Sequence, residues 1–177
     1  QIFCNDRRAT TRDSGTPGEI SGSMSTSTTY YYGAYVRLVT NKSPQLKCPT
    51  ASDKFTSRKS SIGNKALTYP VGLITADEVL LAGSSGGVFD GAYNYQKSTP
   101  NAYLTIGQYF WTMAPAGYYN PFGSTNWRSH VFGVHTSGLI DDYDTDGTAG
   151  LRPVINLKST LKFTGDGTKN NPYIPSL

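Results

Sequence analysis

Apolar and polar residues alternate over short stretches in the second half of the chain, and this pattern predicts β-strands. Tyr103–Met113 (YLTIGQYFWTM) predicts a strand with a bend near Gly107, because β-branched and aromatic residues favour extended backbone. His130–His135 and Gly150–Leu157 have a similar composition and predict two further strands. This half of the chain is therefore expected to form a sheet.

Residues that break regular structure separate these strands. Ala114–Arg128 is rich in Gly, Pro and aromatic residues and predicts a long loop, while Asp141–Gly147 predicts an acidic turn. Leu161–Thr164 and Tyr173–Ile174 flank the segment Gly165–Pro172, whose Asp-Gly step is typical of a hairpin turn. A C-terminal hairpin is therefore predicted.

The clearest helix signal lies near the middle of the chain. Thr75–Gly83 (TADEVLLAG) pairs a capping Thr75 with Glu78 three residues later, and its final glycine marks the helix end. Tyr30–Val39 fits a strand or a short helix. With no internal repeat or linker, we expect one domain over residues 1–177.

Composition and charge narrow the class of protein. Of the 177 residues, 16% are charged and 12% are aromatic, including 13 tyrosines, which is typical of extracellular proteins and binding faces. Residues 1–65 hold ten Lys/Arg and four Asp/Glu, a net charge of +6, but these bases are scattered through loop-like sequence. The chain is therefore expected to bind no nucleic acid. With no run of 18 apolar residues, we also expect no membrane insertion.

The two cysteines, Cys4 and Cys48, have no metal-type spacing. In an extracellular protein they would form a disulfide that closes a loop of about 45 residues, worth roughly 4 kcal/mol by the chain-entropy model. The alternative is two buried thiols in a cytosolic protein. The polar, tyrosine-rich composition favours the disulfide and an extracellular or cell-surface location.

Three segments, in this order, resemble the formylglycine-generating-enzyme branch of the C-type-lectin-like fold. Leu73–Gly83 (LITADEVLLAG) is similar to that family's acidic helix, Phe110–Pro115 (FWTMAP) to its Trp-Thr core strand, and Gly150–Val154 (GLRPV) to its late arginine-containing strand. The resemblance implies an α+β fold of C-type-lectin-like type, with short helices, a mixed irregular sheet and long loops. Residues 1–68 would form an irregular arm and loops, and residues 69–177 the core.

A closer resemblance covers most of the chain. The blocks FCND, NKSPQLKCP, ALTYPVGLITADEV, YLTIGQYFWTMAP, LRPVINLK and FTGDGTKNNPYI resemble secreted or pilin-linked proteins of gut Firmicutes. The same fold carries the variable proteins of diversity-generating retroelements, which present changeable side chains for ligand capture. The resemblance implies that Ala116–Gly150 is the presented segment, and that Trp111, Met113, Val154 and Ile155 are scaffold.

The predicted ligand-binding residues combine aromatic anchors with polar side chains, as antibody paratopes do. The alternative is that these aromatic residues fold back into a secondary core. The expected ligand is a protein or glycan on a cell surface. The predicted binding residues are Tyr118, Tyr119, Asn120, Phe122, Asn126, Trp127, His135, Asp141 and Tyr143.

One stretch has the spacing of a metal loop. Asp142–Gly147 reads D-x-D-x-D-G, so Asp142, Asp144 and Asp146 could hold calcium, the one cofactor that the sequence suggests. However, Pro153 occupies the twelfth position, where a calcium loop needs a bidentate Glu. A solvated acidic turn is the favoured alternative.

Catalytic patterns are weak. Gly83–Gly87 (GSSGG) matches the nucleophile motif around Ser85, but the predicted helix precedes the serine instead of following it. The resembled oxidase depends on late cysteines, and this chain has none after Cys48. His130 and His135 are five apart in a predicted strand and would point to opposite faces. We therefore predict a protein that is not an enzyme.

Three functions are compatible with the sequence. The first is an adhesin-like, extracellular ligand-binding module, diversified by a retroelement as the resemblance implies. The second is a structural pilin or surface-coat subunit in which the same loops make subunit contacts. The third, a hydrolase with an unrecognised site, would depend on Asp142. The first is our prediction.

Overall fold

The chain folds into short helices and several antiparallel sheets, an α+β structure as predicted. The structure is a computed structural model. It describes residues 3–20, 23–55, 67–69, 71–85, 104–105, 107–120, 125–155, 157, 160–168 and 170–176.

A five-stranded antiparallel sheet forms the centre of the molecule, with strand order β2-β3-β6-β7-β8. Its strands are β2 (Ala9–Thr10), β3 (Tyr30–Tyr32), β6 (Phe110–Tyr119), β7 (Arg128–Val134) and β8 (Ile140–Asp144). The N-terminal arm therefore supplies one edge of the sheet, although its polar sequence predicted irregular structure.

In the described part of the chain, three two-stranded sheets accompany the five-stranded one. Their antiparallel pairs are β1 (Phe3–Cys4) with β4 (Lys54–Phe55), β5 (Val71–Leu73) with β9 (Pro153–Ile155), and β10 (Lys162–Thr164) with β11 (Ile174–Ser176). The last pair is the predicted C-terminal hairpin. The strand predicted over Gly150–Leu157 is shorter than expected, since β9 covers three residues and Gly150 forms only an isolated bridge to Phe110.

Short helices cover one face of the central sheet. The α1 helix (Gly33–Tyr35) continues into a π-helix (Val36–Thr40), so Tyr30–Val39 forms both of the structures that its sequence allowed. A 3-10 helix (Ala51–Asp53) precedes β4, and α2 (Ala76–Leu81) follows β5. The helices and the sheet bury a common core of Ala34, Leu38, Ala76, Val79, Phe110, Ala114, Ala116, Phe132, Val134 and Ile140.

The α2 helix has the predicted capping box. The Thr75 hydroxyl accepts a hydrogen bond from the Glu78 N–H, and the Glu78 carboxylate accepts one from the Thr75 N–H at 2.8 Å. Gly83, with φ of +94°, lies just after the helix and adopts the left-handed backbone that glycine tolerates.

The β6 strand corrects the prediction of a loop from residue 114. Its ten residues alternate between buried and partly exposed as far as Ala116, which is the period of a strand. Pro115 lies where the pairing with β7 shifts register, and a bulge is one of the few places where a sheet accepts proline. Tyr118 and Tyr119 therefore lie on a strand and not in a loop.

The acidic turn is also shorter than predicted. Asp141, Asp142 and Asp144 belong to β8, and the turn begins only at Thr145. Cross-strand pairing with β7 explains this, because Phe132 and Gly133 oppose Asp142 and Asp141 in the ladder. Tertiary pairing thus outweighs the low strand propensity of aspartate.

Two devices attach the N-terminal arm to the rest of the chain. Cys4 and Cys48 form the predicted disulfide. A buried ion-pair network lies beside it, in which the Arg37 guanidinium contacts Asp6 at 2.8 Å and donates two hydrogen bonds to Asp77. Desolvated charges are tolerated only when they are paired in this way.

Candidate functional site

The central sheet has two unlike faces. Residues Phe110, Ala114 and Phe132 point to the helices and are buried, so their neighbours along the same strands point to the opposite side. Cross-strand partners in an antiparallel sheet share a face, so the outward-pointing residues of one strand identify those of the next strand. We call this opposite side the aromatic face; its residues are Tyr30, Tyr109, Trp111, Pro115, Tyr118, Trp127, Val131 and Tyr143.

One end of the aromatic face is a group of three rings. Tyr30 and Tyr118 are cross-strand partners with ring centroids 6.4 Å apart, and Trp127 lies 5.8 Å from Tyr118. All three side chains are partly exposed. Aromatic pairs at these separations are attractive, so the group is fixed in place while part of each ring faces solvent.

The other end is a second aromatic group. Tyr143 contacts Tyr109 and Trp111 edge-on, with centroids 5.5 Å and 6.3 Å apart, and His135 contacts Tyr109 at 4.5 Å. Tyr143 lies against Gly133, where an added Cβ would come within 2.8 Å of the ring. A glycine is therefore required for the tyrosine to lie flat on the sheet.

The paired residues Pro115 and Val131 lie between the two groups and are also partly exposed. The aromatic face is therefore continuous across β3, β6, β7 and β8. Rings held by rigid strands lose little conformational entropy when they bind a ligand.

A polar cluster lies on the core side at the end of the same strands. His130 is 4% exposed and is stacked on Tyr119, with ring centroids 4.1 Å apart and planes 7° from parallel. The ring of Tyr119 folds back over Gly117, where a Cβ would lie 2.5 Å from it. Glycine at position 117 therefore allows the stacking.

Three carboxylates and one guanidinium surround His130. Its Nδ1 lies 3.3 Å from an Asp142 oxygen, and its Nε2 lies 3.2 Å from an Asp144 oxygen. Arg128 forms an ion pair with Asp144 and lies 3.4 Å from Asp146. We call these residues, with Tyr119, the His130 cluster.

Burial controls the ionisation of this cluster. Burial raises the pKa of Asp142 to about 6, and the neighbouring Asp144 carboxylate adds to this shift. Burial also lowers the pKa of His130, although Asp144 opposes that shift. Hydrogen bonding to Asp144 raises the pKa of Arg128, so the guanidinium stays charged.

The predicted ligand-binding residues are divided between several places. Tyr118, Trp127 and Tyr143 lie on the aromatic face, and His135 lies at its edge against Tyr109. Tyr119 instead points to the core side, where it stacks on His130.

The remaining predicted residues are Asn120, Phe122, Asn126 and Asp141. Asp141 is 1% exposed, and its carboxylate accepts a hydrogen bond from the Asp142 N–H, so it is not open to a ligand in solution. Asn120 and Asn126 flank residues 121–124, and Asn126 is exposed. Phe122 lies outside the described residues.

The calcium prediction is not supported by the geometry. Within the described ranges, no group of three or more His, Cys, Asp or Glu side chains is placed to hold a metal ion. Asp142 and Asp144 lie on a strand and face His130, whereas Asp146 lies in the turn beyond it. The spacing of the three aspartates predicted a calcium loop, but the first half of that segment forms strand β8.

The serine motif also lacks its required setting. Ser85 follows α2, and its carbonyl accepts a hydrogen bond from the Ile140 N–H. A nucleophile elbow needs a strand before the serine and a helix after it. Gly86 and Gly87, the last two residues of the motif, lie outside the described residues.

Several site residues were not predicted. Tyr30 and Tyr109 lie far from the expected segment in the sequence, and only strand register brings them to the aromatic face. Trp111 was predicted as scaffold, but it follows buried Phe110 and therefore points outward. Ile155 was also predicted as scaffold, but its side chain is exposed on β9. Alternation along β6 was the available signal for Trp111.

Comparison with known proteins adds no family. No protein-family model matches the chain, and neither a curated protein nor a solved structure matches it significantly. No helix among the described residues has the length and apolar character needed to cross a membrane. The function of the chain must therefore be inferred from the geometry of the sheet.

Proposed function

We propose that the chain is an extracellular, adhesin-like module that binds a protein or glycan of a cell surface through its aromatic face. The observation that carries this proposal is the arrangement of partly exposed rings on one side of the central sheet. The proposed role is binding and not catalysis.

The composition of the aromatic face supports recognition. Tyrosine and tryptophan provide large contact areas with few rotatable bonds, and their polar atoms orient a ligand. The exposed Asn126, the chain neighbour of Trp127, adds a hydrogen-bonding group at the rim. Aromatic anchors inside a polar rim are the usual composition of a binding hot spot.

The wider context of the proposal follows from the disulfide and the sequence blocks. A disulfide persists in oxidising environments, which supports a location outside the cytoplasm. Short helices with antiparallel sheets are compatible with the C-type-lectin-like fold that the resemblance implies. We extend the proposal to that fold and to diversification of the segment 116–150 of this chain by a retroelement.

Arrays of glycans and of cell-surface proteins test the proposal. We expect Tyr118→Ala and Trp127→Ala to weaken binding by about 2 kcal/mol each, roughly thirtyfold in Kd, because both rings are partly exposed anchors of the aromatic face. Tyr118→Phe, which keeps the ring, is expected to retain most of the affinity.

Tyr173→Ala is the matched control, because Tyr173 is an exposed tyrosine of the C-terminal hairpin and is not part of the aromatic face. Loss of binding in Tyr173→Ala with full binding in Tyr118→Ala would place the binding surface elsewhere and contradict the proposal. Circular dichroism of each variant separates lost contacts from lost folding.

A structural-subunit role is favoured by one separate observation. The C-terminal hairpin and β9 expose large apolar side chains, namely Phe163, Tyr173, Ile174 and Ile155. Such residues often mark protein contacts. Concentration-dependent assembly in light scattering, abolished by Phe163→Ser and unaffected by Tyr118→Ala, would support this alternative.

A further inference from the structure

The His130 cluster has an unfilled hydrogen-bonding requirement. Both ring nitrogens are buried and lie close to carboxylate oxygens, yet neither forms a hydrogen bond. Buried polar atoms without hydrogen bonds are uncommon and usually have a specific cause.

The number of protons on a neutral ring accounts for one of the two missing hydrogen bonds. A neutral imidazole has one N–H and one lone pair, so it can donate to only one of its two neighbouring carboxylates. If Nε2 donates to Asp144, the Nδ1 lone pair faces the Asp142 carboxylate, and two acceptors oppose each other. One more proton between Nδ1 and Asp142 would satisfy both sides of the ring.

We propose that Asp142 and His130 share one proton in mild acid, and that this proton fastens the strand ends that carry Tyr118 and Trp127. The proton comes from solvent and adds to an Asp142 oxygen, which then donates to Nδ1. No other bond is made or broken. The consequence for ligand binding rests on the proposed function, whereas proton uptake does not.

The surrounding charges favour this location for the proton. The facing groups are Tyr119 on β6, Arg128 on β7, Asp142 and Asp144 on β8, and Asp146 in the turn. Arg128 neutralises Asp144 but lies on the far side from Asp142. Burial raises the pKa of Asp142 to about 6 and lowers that of His130, so the neutral pair is preferred in the folded state.

The cluster is linked directly to the aromatic face. Tyr119 and Arg128 are cross-strand partners, and each is the chain neighbour of an aromatic anchor, Tyr118 and Trp127 respectively. Tyr31 extends the contact to β3 through its ring, 6.3 Å from Tyr119. Hydrogen bonds completed across His130 therefore tie β7 and β8 together beneath the three-ring group.

Nuclear magnetic resonance measures the shared proton without any ligand. We expect the Asp142 carboxyl carbon to titrate with a midpoint near pH 6, and the His130 ring signals to shift with the same midpoint. His135→Gln removes the other histidine of the chain and so assigns the ring signals. Silence of both groups between pH 5 and 7 in the wild type would overturn the proposal.

Hydrogen exchange tests the fastening of the strand ends. After correction for intrinsic rates, we expect the paired amides of residues 118, 119 and 128 to exchange roughly threefold to tenfold more slowly at pH 5.5 than at pH 7.5. Asp142→Asn places a permanent hydrogen-bond donor beside Nδ1. In this variant, the same amides should therefore exchange slowly at both values of pH.

Asp13→Asn, which changes an exposed carboxylate, is expected to behave as the wild type. Equal protection at both values of pH in the wild type would contradict the fastening, even if the titration is found. Failure of the arrays to detect a ligand would count against the proposed function alone, because neither readout requires one.

Discussion

Asp142 is a residue that stabilises the fold only when it is protonated. Its pKa lies at about 6 instead of 3.8 because the side chain is buried, so folding disfavours the carboxylate. The favourable contribution of the protonated group is complete below pH 3.8 and is lost as the pH rises through about 6. At neutral pH, Asp142 is therefore charged and destabilises the folded state most.

Asp142→Asn is expected to raise the free energy of unfolding at pH 7.5 by about 2 kcal/mol, because it removes a buried charge and keeps the shape of the side chain. The difference from the wild type should shrink as the pH falls from 6 towards 4, since Asp142 then acquires its own proton. Urea denaturation at several values of pH measures this.

The comparison reports on Asp142 together with its contact to His130, because the substitution changes the group that faces Nδ1 of that ring. Asp13→Asn again serves as the exposed control. A variant that is less stable than the wild type at pH 7.5 would show that the Asp142 carboxylate is stabilised by its neighbours, contrary to the effect of burial.

At the scale of elements, local chemistry determined which predictions were accurate. The α2 helix was predicted because its start and stop signals lie within nine residues of sequence. The C-terminal hairpin was predicted for the same reason, from its Asp-Gly step. The C-terminal end of β6 was not predicted. Pro115 is compatible with a strand only where the pairing with the partner strand shifts register, and that shift depends on tertiary structure.

The α2 helix has only six residues and depends on its cap. A short helix is marginal alone, since nucleation fixes several residues for one hydrogen bond. Thr75→Ala removes the side chain that accepts from the Glu78 N–H, and we expect a loss of about 1 kcal/mol in the free energy of unfolding.

Thr75→Ser keeps the hydroxyl and should retain most of the stability, which separates capping from packing of the threonine methyl group. Thermal unfolding of both variants measures the difference. Equal losses in the serine and alanine variants would show that the methyl contact matters and that the cap does not.

For the whole molecule, the candidate site depends on how strands from distant parts of the sequence pair. Tyr30 meets Tyr118 across β3 and β6, although 88 residues separate them in sequence. The aromatic composition predicted a binding surface. It also identified Tyr118 and Trp127 as two of its residues. The position of Tyr30, the outward direction of Trp111 and the burial of Asp141 follow from register, which a single sequence does not specify.

The N-terminal arm connects this register to the disulfide. The arm supplies the edge strand β2, which pairs with β3, and β3 carries Tyr30 and Tyr31. Cys4 lies a few residues before β2, and Asp6 between them pairs with Arg37. The Cys4–Cys48 bond therefore holds the segment that completes one side of the central sheet.

Replacement of both cysteines by serine is expected to lower the free energy of unfolding by about 2 to 4 kcal/mol, because the bond closes a loop between residues 44 apart. Urea denaturation measures the loss, and hydrogen exchange should show the largest increase at the amides of β2. In a double-mutant cycle, Asp6→Asn should cost less in the serine background than in the wild type, since a released arm holds the Asp6–Arg37 pair less firmly. Additive effects would mean that the ion pair fixes the arm by itself, and the disulfide would then act only on the unfolded chain.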